Sequence, residues 1–316
     1  MPGAQPLISQ DVTVKDVAID TANGTAIIVG NDGVDGFVFV LNLTSLEVTD
    51  TLTIDDASGL ARVVVDVEAG LVLAIDPTND VAHSVQISTT LSLVNSNDIL
   101  TPVDVAMGAS TGYAIITHDD ESIPVSLFST SDNSAIAIAT VVGEEGQSHL
   151  SSSFADVVSG DEFDVAVVVT MLSDEIEYIV VYDVSPGSSI SENSIVDIDG
   201  VTPGGIALLS SGEEVLISDP ANDQVLRIDL STEESTAIDV GDGPTSIVIN
   251  DADGLAYVIN ANARTVSIID LSDYSVTTAS VERGLSPNQI ATDRATSGAD
   301  ILVPNTGDGT VNVFTE

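Results

Sequence analysis

A short pattern recurs along the whole chain: often Pro, then two residues, then Ile or Val followed by Ala or Val. It reads Pro102-Val-Asp-Val-Ala, Pro203-Gly-Gly-Ile-Ala, Pro244-Thr-Ser-Ile-Val and Pro287-Asn-Gln-Ile-Ala. Weaker copies without the Pro begin at Val14, Ala61 and near Ser151. Starts at 14, 61, 102, 151, 203, 244 and 287 give spacings of 47, 41, 49, 52, 41 and 43, hence seven copies of one unit. A period of this size constrains the fold more than any composition does. Each unit is too small to bury its apolar face alone and must stack on its neighbours.

Within a copy the same short β signals follow one another. From Gly243, an apolar run at Ser246–Asn250 meets a turn at Asp251-Ala-Asp253-Gly254, and Leu255–Asn260 is apolar again. A second turn leads to Thr265–Leu271 and then to Tyr274–Val281. Short runs rich in Val and Ile, punctuated by Gly, Asn and Asp, predict a four-stranded meander. No helix start is followed by a sustained 3.6-residue period, which argues against βαβ folds. Four strands in each such unit predict an all-β, seven-bladed β-propeller with four antiparallel strands per blade. The last copy supplies only three strands, about Asn288–Thr292, Asp300–Pro304 and Thr310–Phe314. The lone segment Leu7–Val12 is expected to fill the fourth place and close the ring, leaving no open seam. A solenoid would need polar capping repeats. A two-domain chain would break the repeat near its midpoint, so one domain over residues 1–316 is expected.

Composition adds limits. The chain has 316 residues, with 50 Asp and Glu against 6 Lys and Arg, for a formal charge of −44. Yet 43% of residues are hydrophobic and mean hydropathy is +0.33, so this is not a disordered acidic chain. Nucleic acid is excluded as a partner, because neutralising phosphates needs more than Lys15, Arg62, Arg227, Arg264, Arg283 and Arg294. Attraction to an anionic membrane fails for the same reason. No run of 18 apolar residues is present, so membrane insertion as a helix is not expected. The absence of Cys rules out disulfides, zinc thiolates and thiol nucleophiles. The first residues, Met1-Pro2-Gly3-Ala4-Gln5-Pro6, lack a basic and an apolar signal-peptide region. A globule of this mass exposes roughly 12,000 Å², spacing its excess charges about 17 Å apart. The Debye length is about 10 Å at 0.1 M salt and about 3 Å at 1 M, so brine removes repulsion that ordinary buffer leaves. The acidity thus fits a salt-adapted surface; a secreted acidic protein from a moderate habitat is the plainer reading.

The repeat also resembles a known family. Gly254-Leu-Ala-Tyr257-Val258-Ile259-Asn260, followed by Thr265-Val266-Ser267-Ile268-Ile269-Asp270, looks like the YVTN-type β-propeller repeat. Asp219-Pro220-Ala-Asn222 with Val225-Leu-Arg-Ile228-Asp229 is similar, as is Val303-Pro-Asn305 with Thr310-Val-Asn-Val313. Copies three and four depart from it, with His118 and Met171 where that repeat places Asn. The resemblance implies a cell-surface or surface-layer propeller, and related seven-bladed folds include lactonases and an antibiotic lyase. Fold likeness of this kind does not transfer an activity by itself.

In a propeller the loop after the second strand and the connection between blades share one face, where ligands are expected. Alignment of the copies puts Asn31, Asp76, His118, Met171, Asp219, Asn260 and Asn305 at one position, the end of the second strand. These are expected either to line the channel mouth as a polar ring or to hold their own loop amides as Asx-turns. The carboxylates Asp32, Asp35, Asp76, Asp80, Asp219 and Asp223 suit a calcium ion by ligand type, although none sits in an EF-hand loop. Solvated, salt-adapted loops are the simpler explanation. His118 and His149 should share the loop face, where Glu144, Glu145 or Asp119 would complete an acid–base set. Scattered surface polarity is the plainer reading of them. Gly108-Ala-Ser110-Thr-Gly112 matches a nucleophile elbow in letters only, since that motif needs a strand-to-helix turn. Asp183, Asp229 and Asp270 close their third strands as turn caps. The expected function is an extracellular or cell-envelope binding module, monomeric or built into a larger surface assembly, with a protein, glycan or cation at the loop face. The rival is a lactonase- or lyase-type enzyme using His118, His149 and a loop carboxylate.

Overall fold

Strands buried on both faces lie at the centre of every repeat, and they explain the apolar runs. In the computed structural model, residues 26–29 of the second strand Thr25–Asn31 have no exposed surface. The second strand of the next repeat, Leu71–Asp76, is buried at all six positions. Outer strands instead alternate, as Glu47–Ile54 does with Val48, Asp50, Leu52 and Ile54 inward and Glu47, Thr49, Thr51 and Thr53 outward. Continuous runs mark strands covered on both sides, and alternation marks the solvated rim.

The structure describes residues 11–107, 112–120, 124–139, 149–158, 164–172, 177–185, 189–198, 200–281, 287, 289–307 and 309–314. Seven antiparallel sheets occupy residues 13–54, 62–98, 102–139, 149–197, 205–239, 244–280 and 291–314. Each runs in strand order from first to last without a crossover. The first six have four strands, and the seventh has three among the described residues.

Seven apolar clusters fill the seven spaces between successive sheets. The one that decides the architecture joins the ends of the chain. Val14, Val17, Ile28 and Leu41 of blade one pack against Leu302, Val311 and Val313 of blade seven. The sheets therefore form a closed ring, a seven-bladed β-propeller. Residues 7–10 of the expected closing strand lie outside the described residues, while Val12 is buried in that same seam.

The hairpin joining first and second strands carries a left-handed Gly in six blades, at Gly24, Gly70, Gly112, Gly212, Gly254 and Gly298. At Gly254 (φ +67°) a Cβ would meet nothing within 4 Å, so the requirement there is the backbone angle alone. Gly30 is demanded by contact instead, since a Cβ would lie 2.5 Å from the Thr13 carbonyl oxygen.

Candidate functional site

Six of the seven second strands end at the position that the repeat alignment marks. Asn31, Asp76, His118, Asp219, Asn260 and Asn305 are the last residues of their strands. All are buried, and their polar atoms turn inward to the loops. Asp76 Oδ1 accepts the amides of Thr78 and Asn79 at 3.0 Å each, and its Oδ2 accepts Asn79 Nδ2 at 2.8 Å. Asp219 accepts from Ala221 N, Asn222 Nδ2 and Gln224 Nε2 at 2.7–3.2 Å. Asn260 donates to Thr265 Oγ1 and Ser267 Oγ, Asn305 to Thr310 Oγ1, and Asn31 to the Leu60 carbonyl. Met171 lies one residue before the end of Asp164–Leu172, and its side chain is outside the described residues.

His118 follows the same rule. Its Nδ1 donates to the Leu100 carbonyl at 2.5 Å, which leaves Nε2 to accept from Ser126 Oγ at 2.7 Å. Burial lowers its pKa below the usual histidine value, so the ring is held neutral. His149 begins the first strand of blade four, His149–Val158, with its side chain outside the described residues, as are Glu144 and Glu145.

The loop carboxylates have a shared job. Asp32 Oδ1 accepts the amides of Val34 and Asp35 within its own loop, which lowers its pKa. Asp35 accepts Asp56 N at 3.0 Å, Asp80 accepts Thr101 N at 3.1 Å, and Asp223 accepts Gly243 N at 2.9 Å. Each of these three ties a blade's loop to the connection running into the following blade. Among the described residues no three His, Asp or Glu side chains are grouped to hold a metal ion.

The same stapling recurs at the centre of the ring. Asp16 Oδ2 accepts Val63 N at 3.0 Å, Asp104 Oδ2 accepts Ala155 N at 3.3 Å, and Asp156 Oδ2 accepts Leu208 N at 2.7 Å. Each carboxylate stands on the first strand of one blade and reaches the first strand of the next. These strands line a central cavity of about 280 Å³.

Two arginines cross that channel. Arg62 Nε lies 3.2 Å from Asp104 Oδ1. Its Nη1 faces the amide oxygen of Gln289 in blade seven at 2.5 Å, and the Gln289 nitrogen donates to Ser246 Oγ at 3.1 Å. Nearer the opposite mouth, Arg294 Nη1 meets Asp156 Oδ2 at 3.0 Å and its Nε meets Asp251 Oδ2 at 2.9 Å. Its remaining nitrogen donates to the Leu208 carbonyl. One side chain of blade seven thereby holds blades four, five and six. Burial pushes Asp16 up to about 6 against the opposing pull of Arg62 and two amides, and it raises Asp104 in the same way.

Asp16, Asp104 and the two arginines were not among the sequence candidates. The signal was present: Asp104, Gly205, Ser246 and Gln289 all occupy the third place of the repeated pattern. With only five arginines in the chain, two facing one channel mark it as built around fixed cations. No family model and no curated protein matches this chain.

Proposed function

We propose that this seven-bladed β-propeller is an interaction module of the YVTN-repeat type, working outside the cell or in the cell envelope. Its loop face meets a protein or glycan partner that carries positive charge. One observation supports this above the others. The buried polar groups of the ring are engaged in holding their own loops and those of the channel in joining blade to blade, while acidic side chains such as Asp32, Asp55 and Asp56 face solvent. Such a molecule offers a rigid surface rather than a reacting group. His118, the better described half of the acid–base pair, has both ring nitrogens occupied, one by the Leu100 carbonyl of the connection into its blade and the other by Ser126 on the adjacent third strand. The acidic, salt-adapted composition and the repeat's likeness to surface-layer propellers support the location.

An array of cationic, neutral and anionic peptides and glycans tests the reading, probed with the intact chain. Expected are hits confined to cationic members and weakened as salt rises from about 0.1 M to about 1 M. Turnover of a lactone panel that disappears in His118→Gln, with no array hits, would overturn it.

A further inference from the structure

The outer strand of blade two, Ser92–Asp98, is exposed along nearly its whole length and carries no charge before Asp98. Other outer strands are as exposed and as poor in charge, but among the described residues this one alone bears exposed large apolar side chains. Exposed edge strands are ordinarily blunted by charge, because their free N–H and C=O groups invite another strand. Among the described residues only four large apolar side chains are classed as exposed: Val34, Leu93, Val94 and Leu100. Leu93 and Val94 stand on this strand at 43% and 49% exposure, and Leu100 follows just after it at 47%.

Beside the strand lies a cleft of about 490 Å³ between blades one and two. Leu93 and Ser96 form one side, Ile54, Asp55 and Asp56 the other, with Asp76 and His83 also lining it. His83 is 6% exposed and uses Nδ1 on Ser96 Oγ at 2.9 Å, while its buried Nε2 has no partner. A neutral imidazole with a vacant nitrogen, beside carboxylates, suits an incoming N–H donor. No Lys or Arg occurs between Arg62 and Arg227, so nothing on this blade's rim neutralises Asp55, Asp56, Asp80 and Asp98.

We propose that the outer edge of blade two is a docking site for an extended, basic peptide segment of a partner protein. The segment adds a fifth strand beside Ser92–Asp98, lays an apolar side chain on Leu93 and Val94, and points a Lys or Arg side chain into the cleft toward Asp55, Asp56 and His83. Charge decides the occupant. A second copy of this chain brings another 44 negative charges to an acidic edge, whereas a cationic strand removes repulsion as it binds. The proposal rests on the interaction-module reading and adds to its loop face a rim surface and the chemistry of the partner that binds there.

The test uses the full chain and a fluorescein-labelled peptide alternating Lys and Val, about nine residues long to span such a strand. Fluorescence anisotropy is expected to give saturable, salt-sensitive binding, and a Glu/Val peptide none. Leu93→Lys and Val94→Lys, both at exposed positions, should each weaken binding by at least about tenfold. Thr278→Lys, on the exposed outer strand Val276–Ser280 of blade six, should leave it unchanged. Hydrogen exchange should slow over residues 92–98. Undiminished binding by Leu93→Lys, equal binding of the Glu/Val peptide, or no binding of the Lys/Val peptide would overturn the docking site. Array hits that persist in any of those cases keep the module reading alive, and an array without hits removes it.

Discussion

Replacing Arg294 by Met should destabilise the ring more than any other exchange of a charged surface or channel residue. The guanidinium meets Asp156, Asp251 and the Leu208 carbonyl, joining blade seven to blades four, five and six. Methionine keeps most of the stem's bulk but leaves two carboxylates facing a site with no counter-charge. Removing one partner of a fully buried pair costs about 3–5 kcal/mol. Here the arginine side chain is 31% exposed and each aspartate 23%, so water screens part of the loss. The expected cost is therefore about 2–3 kcal/mol. Urea unfolding followed by circular dichroism should show a lower midpoint with an unchanged slope, since the same surface opens. A cycle with Asp156→Asn should give a coupling of at least about 1 kcal/mol. A loss below about 0.5 kcal/mol, the size of an ordinary surface change, would refute the view that this arginine fastens the ring.

Three further outcomes follow from the same geometry. Burial holds the Asp16 carboxyl at about 6, above the usual carboxylate range, so its charge opposes folding above pH 6 by at most about 3 kcal/mol, and stability rises as pH falls through 6. Asp229, lowered to about 2 by Ser231 and neighbouring amides, contributes stability that is lost only as pH falls from about 4 toward 2. Melting temperature at fixed ionic strength should thus peak in mildly acidic buffer, and a steady fall from pH 7 to pH 4 would contradict this. Gly254→Ala, where only φ objects, should cost about 1 kcal/mol, while Gly30→Ala, which drives a methyl onto the Thr13 carbonyl, should cost about 2–3 kcal/mol in the same urea assay. Calcium at fixed ionic strength should leave the melting temperature unchanged, because Asp32, Asp35, Asp76, Asp80, Asp219 and Asp223 already accept hydrogen bonds from loop or connection groups; a clear calcium-specific rise in calorimetry would count against it.

What the sequence reveals about this fold is what local chemistry controls. Apolar runs, turn residues and the residue closing each second strand are set within some forty positions, so their recurrence shows in the letters. Asn31, Asp76, Asp219, Asn260 and Asn305 could be placed at one structural position on that basis alone. Their burial could not be read, because it depends on loops and connections folding over them. The channel stayed hidden for a stronger reason. Arg294 and Asp156 are 138 residues apart and meet only after the ring has closed. His83 carries no such signal, because a histidine among Val81, Ala82, Ser84 and Val85 matches no motif, and the cleft it lines forms only where blade one stands beside blade two. Part of the acidity consists of short aspartates, such as Asp16, Asp104 and Asp156, that accept amides from the next blade.

Hydrogen-exchange mass spectrometry of the chain with and without a saturating cationic array hit tests the functional account most directly. The account predicts protection confined to the surface, at the loop face or over residues 92–98, with the first strands bearing Asp16, Arg62 and Asp104 unchanged. Protection of those inner strands, with the surface unaltered, would place the ligand in the channel and contradict it.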